Sequence, residues 1–303
     1  MGVFPLFYMK SIPYLIFAFL LYSLNIFYPP IAFFANLFIP LFFVLYLIKE
    51  DHLISGKNKI LLLILSFFIL AVYNYKISFN LFIISAVPAL FLYYRYVNPK
   101  LKLEPVIFAP IPAFLVTVVI LLFASEIRVS FYNYILANLN MVIDSLKNIS
   151  DSEIDIGKMV KHKNELALTV LYIIPSVSYI YISFMTLIAK RVITMISGVP
   201  LEPFRVPFHM VWFLILGGFT FLSNNLEVKM ISYNTFIIFT YLYFIQGSNL
   251  LTIIMIRKRL FWLRLIVLIL ILIHPYIIIA IAFIGLFDNW FNFAGPLDGN
   301  SKD

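Results

Sequence analysis

Polar groups set deep inside apolar runs are where this sequence could do chemistry. Gln246-Gly247-Ser248-Asn249 lies within the run 231–254, and His274, followed by Pro275, stands at the midpoint of the run 262–286. Gln246 and Asn249 are three residues apart, so with Tyr243 they share one helical face. An amide facing hydrocarbon forfeits hydrogen bonds, so that face is expected to point into protein. Gly247 permits a second backbone or a ligand to come close. An imidazole at depth is a candidate for function by default, and Pro275 releases the carbonyl of Ile271 as an acceptor nearby. Uncharged donors and acceptors of this kind, Gln246, Ser248, Asn249 and His274, suit a small, largely neutral solute rather than an ion. The same groups also serve as an interhelical hydrogen-bond clasp, with the histidine donating to a neighbouring carbonyl.

The elements that hold these groups follow from composition. Hydrophobic residues make up 63% of the 303 and charged residues 12%, with a mean hydropathy of +1.01. A soluble domain could not cover that much apolar surface, so the chain is an integral membrane protein with the lipid bilayer as its first partner. The 22 Lys and Arg against 14 acids are the charge that holds loops to anionic headgroups, not a nucleic-acid surface. The chain has no cysteine, which excludes disulfides, thiol catalysis and Cys-ligated metals. H-E-x-x-H, G-x-S-x-G and P-loop patterns are absent, and no Asp, Glu, Lys or Arg falls within the central part of any apolar run. The expectation is a protein that is not an enzyme, with no catalytic residues, no metal site and no cofactor.

Nine runs are long and apolar enough to span: about 12–28, 31–48, 58–75, 80–97, 105–124, 165–188, 208–224, 231–254 and 262–286. Pro29-Pro30 makes a tight reversal between the first two, which either cross fully or form a re-entrant pair. No small-residue cleavage pattern follows the first run, so it reads as a retained anchor. Short loops on one side carry 14 Lys and Arg, among them Arg257, Lys258 and Arg259, against 3 on the other once the long segment is discounted. The positive-inside rule then puts the N-terminus in the cytoplasm and the C-terminus outside. Trp212, Trp262 and Trp290 fall near run ends, where indoles prefer the headgroup layer.

The hydrophilic segment 125–163 is expected outside. Phe131, Ile135, Leu139, Val142, Leu146 and Ile149 step by four and three, which predicts an amphipathic helix. It either tucks its apolar face away as a connector or lies as a lid over an outward cavity, and an acidic break at 151–155 ends it. The cytoplasmic loop 197–207 is stiffened by Pro200, Pro203 and Pro207. Ala109-Pro110-Ile111-Pro112-Ala113, Pro88 with its small neighbours, and Gly217-Gly218 are positions for kinks or close crossings.

Three segments of the last third carry a resemblance. Pro203-Phe204-Arg205-Val206-Pro207 leading to Trp212, then Tyr243-Phe244-Ile245-Gln246-Gly247, then Gly285 through Asp288, Trp290 and Phe293, resemble the YybS-like family of uncharacterised bacterial multi-pass membrane proteins. The resemblance implies a bacterial cytoplasmic (inner) membrane location and a distant similarity to the substrate-binding S components of energy-coupling-factor transporters. Those components dock on a coupling subunit through an early helix with small residues at four-residue spacing. The sequence departs from that pattern, because its first run holds a single Ala18, and prolines interrupt Ala109 and Ala113.

The sequence therefore predicts an all-α polytopic transmembrane helical bundle, one integral membrane domain over 1–303 of about nine spans, with one external amphipathic helix. Its leading function is S-component-like binding or uptake of a small, largely neutral solute, for which the resemblance implies a coupling subunit as protein partner. The alternative is a non-transporting scaffold or accessory factor for envelope or division proteins. In that case Pro203, Arg205, Pro207, Asp288 and Trp290 are docking residues, while Gly247 and Pro275 serve packing.

Overall fold

Helix-forming apolar runs end here where Asn, Ser, Gly or Pro interrupts them. The computed structural model describes residues 11–49, 55–99, 103–147, 156–197, 204–260, 262–274 and 276–293. Among them the chain forms α1 (Ser11–Phe27), α2 (Pro29–Asn36), α3 (Ile39–Ile48), α4 (Gly56–Tyr73), α5 (Tyr75–Leu81), α6 (Val87–Val97), α7 (Pro105–Phe108), α8 (Ile111–Phe123), α9 (Ser125–Lys147), α10 (Ile156–Ser197), α11 (Val211–Phe221), α12 (Leu226–Arg257), α13 (Leu263–Ile273) and α14 (Tyr276–Phe291). No strand occurs among the described residues, and the fold is an all-α membrane bundle. Among the described residues, six helices are long and apolar enough to cross a membrane: Pro30–Ile48, Gly56–Tyr73, Tyr75–Val97, Pro105–Phe123, Gly157–Ser197 and Glu227–Arg257. Ser11–Asn25, Phe208–Phe221 and Tyr276–Phe291 are shorter apolar helices. Phe68 at 68% exposure and Val72 at 90% face outward from α4, as side chains do when lipid is the solvent.

The largest departure from the apolar pattern is the run 262–286, which is two helices rather than one. His274 takes an extended conformation (φ −127°, ψ 99°) between α13 and α14. A proline at 275 supplies no N–H and crowds the preceding turn, which hydropathy cannot register. Pro275 itself, like Pro203 and the acidic break at 151–155, lies outside the described residues.

The chain divides into two compact units, 1–116 with 178–201 and 117–177 with 202–303. In the first unit Phe19, Phe43 and Phe67 form an aromatic cluster with centroids 5.8–5.9 Å apart. Pro110 leaves the carbonyl of Val106 without its usual N–H, and the Ser183 hydroxyl donates to it at 2.8 Å. The Tyr179 hydroxyl takes the next carbonyl, Ile107, at 2.7 Å. Lys190 binds both oxygens of Glu104 at 2.9 Å in a nearly dry ion pair.

In the second unit Pro175 interrupts α10, and the Asn234 side chain of α12 is spliced into the interruption. Its oxygen accepts from the Ser176 N–H at 2.8 Å while its amide donates to the Tyr172 carbonyl at 2.8 Å. These are the two backbone groups that an unbroken helix would join. Helix α9 forms as expected but its buried stripe is turned by a step. Ile143 is buried and Tyr132 and Ile135 pack on Leu121, Leu171 and Met230, whereas Phe131 and Val142 are exposed. A period-of-3.6 pattern with several adjacent apolar residues leaves that rotation undetermined.

Candidate functional site

Helix α12 is the spine of the second unit. No proline interrupts it, Asn225 caps it by accepting from the Glu227 N–H at 2.8 Å, and Arg257 lies in its last turn, where cations suit the carbonyl end. Its 32 residues run about 48 Å at ~1.5 Å each. Two shorter helices share its length. Gly217 of α11 sits where a Cβ would come within 2.6 Å of Thr235, and Ser232 donates to the Gly217 carbonyl at 2.6 Å. Further along, Gly285 and Gly247 let α14 and α12 cross backbone to backbone. A Cβ at Gly285 would lie 2.1 Å from the Tyr243 carbonyl oxygen, and one at Gly247 would lie 2.1 Å from that of Ile281.

This crossing brings together the three segments singled out in the sequence. Gln246 is 3% exposed and makes hydrogen bonds at both ends of its amide. Its oxygen accepts from the Val206 N–H at 2.8 Å, which fastens the extended segment 204–207 to α12. Its nitrogen donates to Asp288 Oδ2 at 3.4 Å and to Asn289 Oδ1 at 3.2 Å. At the rim, exposed Arg205 donates to Asn292 Oδ1 at 3.1 Å, and Trp290 meets Phe208 edge to face at 5.6 Å. Pro207 ends the extended segment and its carbonyl accepts from Met210, starting the short 3₁₀ turn that feeds α11. The start of one short helix and the end of another thus meet partway along α12. Broken backbone within a membrane is tolerated where it is buried in protein or lines a cavity.

Three buried polar atoms around Gln246 have no protein partner of normal geometry: Asp288 Oδ1, Asn289 Nδ2 and the Tyr243 hydroxyl. Tyr243 is 2% exposed and Asp288 7%, and the Tyr243 hydroxyl lies beside Asn289. An acceptor, a donor and a group able to act as either therefore collect in one dry place. Unsatisfied polar atoms of that kind are rare in folded proteins and call for a specific cause.

The expected set is only partly assembled. Gln246 and Gly247 are central, Ser248 and Asn249 are half-buried further toward the C-terminal end of α12, and His274 is exposed at the break before α14. Tyr276 and Asp288 are about 18 Å apart along α14 at ~1.5 Å per residue, which keeps the imidazole away from the amides. A cavity walled by Gln246, Asn249 and His274 is therefore not what the chain forms. Asp288, expected only in docking or packing, belongs to the cluster, and Asn289 and Tyr243 complete it. Their signal in the sequence was slight: Tyr243 shares a face with Gln246, and Asn289 adjoins the acid.

No curated protein and no solved structure matches the chain. The model of a family described as predicted membrane protein, DUF2232, matches residues 15–289. That match takes in the helices of the second unit as far as Asn289 of α14, with Tyr243, Gln246, Asp288 and Asn289 among its residues, and the chain belongs to the DUF2232 family of predicted membrane proteins.

Proposed function

We propose that the Gln246 cluster binds a small polar solute, and that the chain works in solute binding or uptake at the bacterial cytoplasmic membrane. The observation that carries the reading is the convergence of Asp288 Oδ1, Asn289 Nδ2 and the Tyr243 hydroxyl on one amide, all buried and none in a well-formed hydrogen bond, with the hydroxyl lying against Asn289. A guest bearing one donor and one acceptor would satisfy all three, and in a lipid-insulated interior each satisfied group counts for more than it does in water. The cluster has one carboxylate, Asp288, and its rim has one guanidinium, Arg205. That balance favours a largely neutral guest over a simple ion. The resemblance to the YybS-like family, which implies a distant similarity to S components of energy-coupling-factor transporters, points the same way, with a coupling subunit as the implied partner. The role needs no catalytic step. The basic short loops favour a cytoplasmic N-terminus and an external C-terminus.

A second reading has its own observation. Both ends of the Gln246 amide bond within the protein, and the glycine crossing beside it is tight, as a packing clasp in a non-transporting scaffold would require. Mass spectrometry of the small molecules released from purified protein separates the two. Solute binding predicts a stoichiometric polar compound in the wild type, lost in Tyr243→Phe and Asp288→Asn with the melting temperature of the empty protein held. The absence of any such compound from the wild type would favour the clasp.

A further inference from the structure

The first unit carries a groove of about 790 Å³, within the roughly 300–1,000 Å³ usual for small-molecule sites. Its walls are Ile64, Phe67, Phe68 and Ala71 of α4, with Phe79 of α5 and Phe82 of the turn that follows. That turn, Phe82–Ala86, is a π-helical segment in which the Val87 N–H reaches back five residues to the Phe82 carbonyl. The wider turn precedes Pro88, which cannot donate, and such turns recur at functional sites.

Polar groups at the groove are few and sit at one end. Asn74 reverses the chain between α4 and α5, and its side chain accepts from the N–H groups of Lys76 and Ile77. Ser78 is engaged, donating to the Phe67 carbonyl at 2.8 Å. That leaves Lys76, exposed beside the reversal, with its ammonium 5.9 Å from the Tyr75 ring centroid and no carboxylate pairing with it among the described residues. An apolar trough with a cation unpaired by any carboxylate among the described residues at its helix-hairpin end has the polarity of a single phospholipid, tail and anionic head.

We infer that this groove holds an acyl chain of an anionic bilayer phospholipid, with Lys76 paired to its phosphate. Hydrocarbon gains nothing by moving from lipid to an apolar wall. Retention of the tail therefore depends on shape, and selection among lipids depends on the charge at Lys76. One lysine beside an anionic headgroup corresponds to roughly a fivefold preference.

The experiment uses the full chain reconstituted in nanodiscs with equal phosphatidylglycerol and phosphatidylcholine of identical tails. Native mass spectrometry weighs the retained lipid, and a photoreactive tail maps it. The expected result is one retained lipid, phosphatidylglycerol preferred about fivefold, crosslinked within residues 64–82. Lys76→Gln should abolish the preference and keep the crosslink. Ala71→Leu, which narrows the trough, should lose the crosslink, with circular dichroism melting confirming that it folds. Equal retention of both lipids by the wild type overturns the proposal, as does a preference unchanged in Lys76→Gln. Crosslinks outside 64–82, or a retained molecule other than a phospholipid, also overturn it.

Discussion

Replacing Gly285 with alanine would drive a methyl group into the backbone of α12. The new Cβ would sit 2.1 Å from the Tyr243 carbonyl oxygen and 2.7 Å from the Gly247 nitrogen, whereas ordinary contact begins at 3.4 Å. Both obstacles are backbone, so no side chain can rotate away, and the helices must separate by about 1.3 Å. Such overpacking costs about 1–3 kcal/mol. The Gln246 bonds to Asp288 and Asn289, already 3.4 and 3.2 Å long, would stretch past hydrogen-bonding range, at about 0.5–1.5 kcal/mol each. Helix propensity returns about 1 kcal/mol. The net loss is about 1–5 kcal/mol, read as a lower melting temperature in nanodiscs. Gly218→Ala is the internal control, because its Cβ meets only the Phe236 ring at 3.8 Å. Equal melting of Gly285→Ala and Gly218→Ala would refute the close crossing.

Three further outcomes follow from the same physics. Asn234→Leu should destabilise by about 2–5 kcal/mol, because the Ser176 N–H and Tyr172 carbonyl lose their shared partner at Pro175, and hydrogen exchange should rise locally around 172–176. Lys190→Met should cost about 3–5 kcal/mol by stranding Glu104, and adding Glu104→Gln should recover much of it in the melting temperature. Ser183→Ala should cost about 1–3 kcal/mol by leaving the Val106 carbonyl unpaired beside Pro110; a neutral effect on the melting curve would contradict that role.

Much of the fold was legible because apolar runs and caps are local. The runs 58–75 and 80–97 appear as α4 and as Tyr75–Val97, with Asn74 at the join. The shared face of Tyr243 and Gln246 and the tolerance of Gly247 for close approach were equally readable from spacing. The break at His274 was not, because hydropathy averages over a proline that stops a helix without making it polar. Nor was the place of Asp288, since its partner Gln246 lies 42 residues away in sequence and no local pattern couples them. The same holds for Asn234, whose amide mends α10 from a different helix.

The central claim is that Tyr243, Asp288 and Asn289 present three buried polar atoms, none in a well-formed hydrogen bond, to a common guest. An experimental density map of the protein purified from its native membrane into nanodiscs tests it most directly. The account predicts a non-protein feature within hydrogen-bonding distance, about 2.7–3.2 Å, of Asp288 Oδ1, Asn289 Nδ2 and the Tyr243 hydroxyl together. A map in which those three atoms bond one another, or in which Asp288 faces acyl chains, would contradict it.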